Sequence, residues 1–149
     1  MAEYLANAVQ NVNIGEPIIF TASIPCTKGY IYHEDETGIF TLRGICNNPC
    51  NQFARYQVAF NGNIAIPTGG TVGPIAVAIA VSGEPRPTSR AIVTPAAVDE
   101  YNNVTSVAII TVPRGCCFNM SIEAVNAEDG AATTAIEVQN ANLVITRIA

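Results

Sequence analysis

His33, Glu34, Asp35 and Glu36 stand in a row and form the densest set of ligand-type side chains in the sequence. Hard cations such as calcium take several carboxylate and carbonyl oxygens. The spacing follows no calcium loop, however, and consecutive acids on an extended turn point in different directions, so a solvated turn without metal is expected. Cys46 and Cys50, with Cys116 and Cys117, could in principle supply four thiolates to a tetrahedral zinc ion. Against this, adjacent cysteines in a strand face opposite sides. Parity puts Cys116 with Phe118 and Met120 as a small core residue, and Cys117 with Asn119 and Ser121. The disulfide to expect, if one forms, is Cys46–Cys50. The remaining cysteines read as free thiols, because five with Cys26 cannot all pair within one chain. Nucleophilic catalysis needs a base beside the nucleophile. His33 is the single histidine, and its neighbours are acids. Paired carboxylates for glycoside cleavage have few acids and no Trp to work with. No catalytic residue and no cofactor is assigned. Asn47, Asn48, Asn51, Asn61, Asn63, Asn102, Asn103, Asn140 and Asn142 are explained by turn propensity, with sugar binding by their loops as the functional alternative.

The elements that would position these residues are strands. Tyr56, Val58 and Phe60 alternate with Gln57 and Ala59, while Ile75, Val77, Ile79 and Val81 alternate with Ala76, Ala78 and Ala80. Large side chains at every second position line one face of a strand. Between the two runs, Gly62, Pro67, Gly69, Gly70, Gly73 and Pro74 supply turn chemistry, and Ser82-Gly83 closes the second run as a tight turn. Residues 1–8 read as a short arm, for which a turn of helix and disorder both fit. Further strands are expected over 9–14, 18–24, 30–33, 39–44, 91–94, 104–112, 118–122, 135–139 and 143–148. The stretch 107–110, apolar at every position, is expected to be buried on both sides. The expected architecture is about nine or ten antiparallel strands, with some of these runs sharing one strand, and no helix: an all-β two-sheet sandwich or jelly roll with residues 9–149 as a single domain.

Composition narrows the function. The 149 residues are 49% hydrophobic and only 13% charged, which excludes intrinsic disorder. Net charge is −5 and the seven cations are scattered, so no basic stripe addresses nucleic acid. No apolar run reaches the ~20 residues of a membrane helix. The first residues lack the basic start and long apolar segment of a secretory signal, so synthesis in the cytosol is expected. Low charge with a positive mean hydropathy implies that some surface is covered by a partner or by further copies. A strand with Ile and Val on one side and only Ala on the other packs closely on both, which makes Ala76, Ala78 and Ala80 the expected subunit interface.

Several runs carry a family likeness: Tyr56-x-Val58-x-Phe60, Ile75-x-Val77-x-Ile79-x-Val81-x-Gly83-Glu84, Ala108-Ile109-Ile110-x-Val112-Pro113-x-Gly115, a strand closing in Asn126, and Ala141-x-Leu143-x-Ile145-x-Arg147-Ile148. Together they resemble the C1q/TNF-like jelly roll, in the version seen in phage and bacterial spore-surface proteins. The likeness spans residues 9–149 and consists of strand patterns and turns. It implies a homotrimer with one sheet of each subunit facing the threefold axis. No Gly-x-y repeat precedes the domain, a departure that suggests a stand-alone trimer. The expectation is a non-enzymatic structural surface protein, first a phage virion decoration or fibre-type protein bound to a capsid or other surface assembly. A spore-surface or extracellular filament subunit and a glycan-binding module are the alternatives. The expected location is a virion, cell or spore surface after cytosolic synthesis.

Overall fold

The computed structural model describes residues 2–24, 29–45, 50, 52–127 and 135–148. Among them are twelve strands: β1 (Ala2–Ala6), β2 (Gln10–Asn13), β3 (Ala22–Ile24), β4 (Ile31–His33), β5 (Phe40–Arg43), β6 (Phe53–Ala65), β7 (Ile75–Val81), β8 (Glu84–Pro85), β9 (Ala91–Val93), β10 (Asn102–Pro113), β11 (Cys117–Val125) and β12 (Ala135–Arg147). A single 3-10 turn, Pro87–Ser89, sits between β8 and β9.

Two antiparallel sheets result. The first runs β10-β6-β12-β1-β3, with β2 also paired to β12; the second runs β4-β5-β11-β7-β8, with β9 also paired to β7. Alternation explains which sides meet. Tyr56, Val58, Phe60, Ile110, Val112, Leu143 and Ile145 of the first sheet, and Phe40, Leu42, Val77, Ile79, Met120 and Ile122 of the second, are all buried in one core. Each such side chain contributes roughly 1.5–3 kcal/mol of burial. The Ser82-Gly83 turn has φ of 54° and 81°. Positive φ at both central residues suits a two-residue hairpin, because that twist matches the strands on either side.

Several sequence expectations are corrected. The arm expected at the N-terminus is a strand over its described residues: Ala2–Ala6 pair with β12 on one side and β3 on the other, burying Ala2, Tyr4 and Ala6. Gly62 is not a turn residue but lies inside β6. A Cβ there would come 2.9 Å from Cζ of Phe60, whose ring is fully buried, so close approach rather than turning explains the glycine. The two C-terminal runs are one strand, broken only by a bulge between Gln139 and Asn142 with Asn140 at φ 53°. The stretch 107–110 is buried on one side only, since Val107 and Ile109 are each 54% exposed.

The sandwich is latched along one flank. The Arg86 guanidinium donates to the carbonyl of Ile109 at 3.0 Å, and the Ser106 hydroxyl donates to the carbonyl of Ser89. Ser89 in turn accepts from the Ile79 amide at 3.0 Å. The Arg86 side chain thus covers part of the open edge of β10, one of the ways sheet proteins keep edges from pairing with other chains.

Candidate interaction surfaces

The acidic turn closes on itself. Thr37 donates through its hydroxyl to the carbonyl of Glu34 at 2.7 Å, and Glu36 takes φ 67°. His33 points away from the acids. Its ring stacks on Phe40 at 4.3 Å and meets Tyr4 edge-on at 4.9 Å, while Nε2 lies 2.9 Å from the Thr37 carbonyl. Nδ1 is buried without a hydrogen-bond partner. Among the described residues no group of three or more His, Cys, Asp or Glu side chains is placed to hold a metal ion.

Cys46 lies outside the described residues, as does Cys26, so the Cys46–Cys50 pairing does too. Cys50, Cys116 and Cys117 are exposed. The core position expected for Cys116 is therefore corrected: strand parity begins one residue later, and Cys116 belongs to the turn whose amide donates to the Pro113 carbonyl at 3.1 Å. Beside this end, the buried Tyr56 donates its hydroxyl to the Arg43 carbonyl, and the Arg147 guanidinium stands 4.1 Å over the Tyr30 ring. Burial raises the Tyr56 pKa above its ordinary value, with the Arg147 charge pulling the other way.

Ala76, Ala78 and Ala80 are each 0% exposed within a single chain. They leave no area for a neighbour, so the expected alanine interface is corrected as well. The register explains part of this covering, because Ala80 lies opposite Ser121 and Ala78 opposite Glu123, both themselves buried. Burial holds the Glu123 carboxyl above the ordinary carboxylate range, and the Ser121 hydroxyl, 3.2 Å from Oε1, offsets this in part. Between the ordinary and the raised value, the folded chain holds a proton that the unfolded chain has lost. Stability from this group is therefore lost as pH rises through that window. Glu123→Gln is expected to raise the thermal midpoint at neutral pH and flatten the fall in stability from acid to neutral. An identical slope in variant and parent would remove Glu123 as its cause.

The surface that sequence reading misplaced is the outer face of the first sheet. Backbone register sets its side chains in rows. Val107 lies opposite Ala59, Ala59 opposite Val144, Val144 opposite Glu3, and Glu3 opposite Ile24. The next row holds Ile109, Gln57 and Thr146. On the other side of the apolar row come Thr105, Asn61 and Asn142, then Asn103, Asn63 and Gln139. The Asn103 amide donates to Oδ1 of Asn61 at 2.8 Å and of Asn63 at 3.2 Å, and Asn142 donates to Glu3 at 2.7 Å. These asparagines are on strands, not in turns. Tyr101 borders the amides and donates to Glu137 at 2.9 Å. Its pKa is raised, first by burial and then by that carboxylate.

No protein-family model matches the chain, and no curated protein is similar to it in sequence. Among solved structures, it is similar to the globular domain of zebrafish complement 1qA protein, at 15% identity over 96% of this chain and 94% of that one, with a TM-score of 0.58. The chain has a C1q-like jelly-roll fold. Weaker likenesses are to the sugar-binding EclA C-terminal domain (14% identity, 80% and 86% covered, TM-score 0.35) and to the CBM22-1 xylan-binding domain of Paenibacillus barcinonensis Xyn10C (11%, 97% and 98%, TM-score 0.35). No helix among the described residues of this jelly roll is long and apolar enough to cross a membrane.

Proposed function

We propose that this chain is a non-catalytic structural module whose copies pack as a homotrimer through the outer face of the first sheet. One observation carries the reading: Val107 and Ile109, half exposed on β10, share a face with Ala59 and Val144 of the neighbouring strands. Contiguous apolar surface of this kind marks an interaction site. The partly capped β10 edge turns association towards the face rather than towards strand addition. Closed symmetric assemblies are the usual form of self-association. The test is mass by sedimentation in reducing buffer, with three chains expected and a monomer in dilute solution overturning the reading.

The setting we propose is a surface assembly, first as a virion decoration or fibre-type protein and second as a spore-surface or filament subunit. Its support is the strand-pattern resemblance together with the low charge. Capsid genes beside its own would favour the first, sporulation genes the second. A glycan-binding role has its own observation, the Tyr101 ring bordering the Asn63–Asn103 amides on an exposed face. Aromatic faces with a few fixed polar groups are the usual lining of ligand sites. A flat glycan-array response at high protein concentration would remove it.

A further inference from the structure

We propose that Cys116 and Cys117, at the end of the sandwich that also carries Cys50, form disulfides between copies of this chain, an inference that rests on self-association bringing copies together. Cys116 and Cys117 are consecutive, and the chain on either side of Cys50 is tied to the turn that leads into them. The Gly44 amide donates to the Cys116 carbonyl at 2.9 Å, the Gly115 amide to the Ile45 carbonyl at 3.2 Å, and the Arg114 amide to the Gln52 carbonyl at 2.8 Å. Both flanks of the segment holding Cys50 are thereby fastened to the turn that holds Cys116. Cys117 stands opposite Arg43, at the start of the pairing between β11 and β5. All three are exposed.

Chemistry inside one chain cannot use them all. Cα atoms of adjacent residues sit about 3.8 Å apart across a trans peptide, whereas disulfides usually need about 4.4–6.8 Å. Cys116 and Cys117 therefore do not pair with each other while β11 keeps its register with β5. With five cysteines per chain, at least one thiol is left over however the others combine. A Cys46–Cys50 bridge would leave both Cys116 and Cys117 for Cys26 and for other chains. No Asp or Glu occurs in residues 37–83 or 101–122, so none lies in the segments that carry these thiols to repel an approaching thiolate.

The oxidant is a small-molecule disulfide such as oxidised glutathione. A protein thiolate attacks one of its sulfurs, forming a mixed disulfide and releasing one small thiol. A thiolate from a second copy then attacks the protein sulfur of that mixed disulfide, joining the chains and releasing the second small thiol. Two protein thiols lose two electrons and two protons, and one small disulfide becomes two thiols.

The test incubates the full chain with oxidised glutathione and runs it on a non-reducing denaturing gel, with the bridges mapped by peptide mass. Covalent dimers and larger species that collapse with reductant are expected, with loss of most of them in the Cys116→Ser/Cys117→Ser variant. Wild-type chains that stay single, with the leftover thiol free or capped by glutathione, would overturn the proposal. So would covalent species that persist after Cys50, Cys116 and Cys117 are all replaced by serine. Sedimentation of the same samples in reductant keeps the two readings apart. A reduced trimer that never becomes covalent sinks only the disulfides, and a reduced monomer sinks the packing face.

Discussion

Phe40→Ala is expected to lower the unfolding free energy by about 3–5 kcal/mol, the range for removing a large aromatic side chain from a packed core. Phe40 has no exposed surface. Its ring contacts three others: Tyr4 at 4.6 Å from β1, Phe20 at 5.5 Å from the segment leading into β3, and His33 at 4.3 Å from β4. Tyr4 belongs to the first sheet, and Phe40 and His33 to the second, so this one ring joins the layers at the flank opposite the Ser89 latch. Edge-to-face pairs contribute about 0.5–1.5 kcal/mol beyond area burial, and two of the three contacts are of that kind. Backbone pairing holds β1 and β4 within their own sheets, so the loss falls on the packing of one sheet against the other. Denaturant unfolding measures it. Phe118→Ala, at a half-buried position of the same sheet, is the comparison. A cost at Phe40 no larger than at Phe118 would show that the cluster does not hold the sheets together.

The alternation that built the core was readable because it depends only on side-chain parity. Tyr56, Val58 and Phe60, and Ile75, Val77 and Ile79, face inward as their spacing demands. The same parity gave a wrong answer wherever a third element intervenes. Ala76, Ala78 and Ala80 share an outward side, yet the fold buries them. Val107 and Ile109 look like core residues in sequence because residues 107–110 are apolar at every position, but only alternate residues reach the other sheet. Strand ends were also illegible. Cys116 falls one residue before β11 begins, and that single step changes it from core to surface. The amide rows of Asn61, Asn63, Asn103 and Asn142 join strands dozens of residues apart, and register across β10, β6 and β12 sets them. Local turn propensity hid them, since asparagine is ordinarily a turn residue. His33 misled for the opposite reason: its sequence neighbours are acids, and its spatial neighbours are rings.

Replacing Val107 and Ile109 together by lysine is expected to raise the dissociation constant of the assembly by at least about 100-fold, equivalent to ~2.7 kcal/mol. Full burial of one such side chain contributes roughly 1.5–3 kcal/mol relative to leaving it in water, and the variant removes two from every subunit. It also places a charge that must stay hydrated on a face meant to dry out. The fold itself should tolerate the change, since half-exposed positions away from caps and buried networks usually alter stability by no more than about 0.5 kcal/mol. Ile92→Lys supplies the control. Ile92 is 53% exposed and sits on β9 opposite Ala76, on the outer side of the other sheet, so it matches the pair in exposure but not in place. Sedimentation in reducing buffer should find Ile92→Lys assembled like the parent and Val107→Lys/Ile109→Lys as single chains. If instead Ile92→Lys dissociates and the double variant does not, copies meet through the second sheet, and the row of Val107, Ala59 and Val144 faces solvent in the working protein.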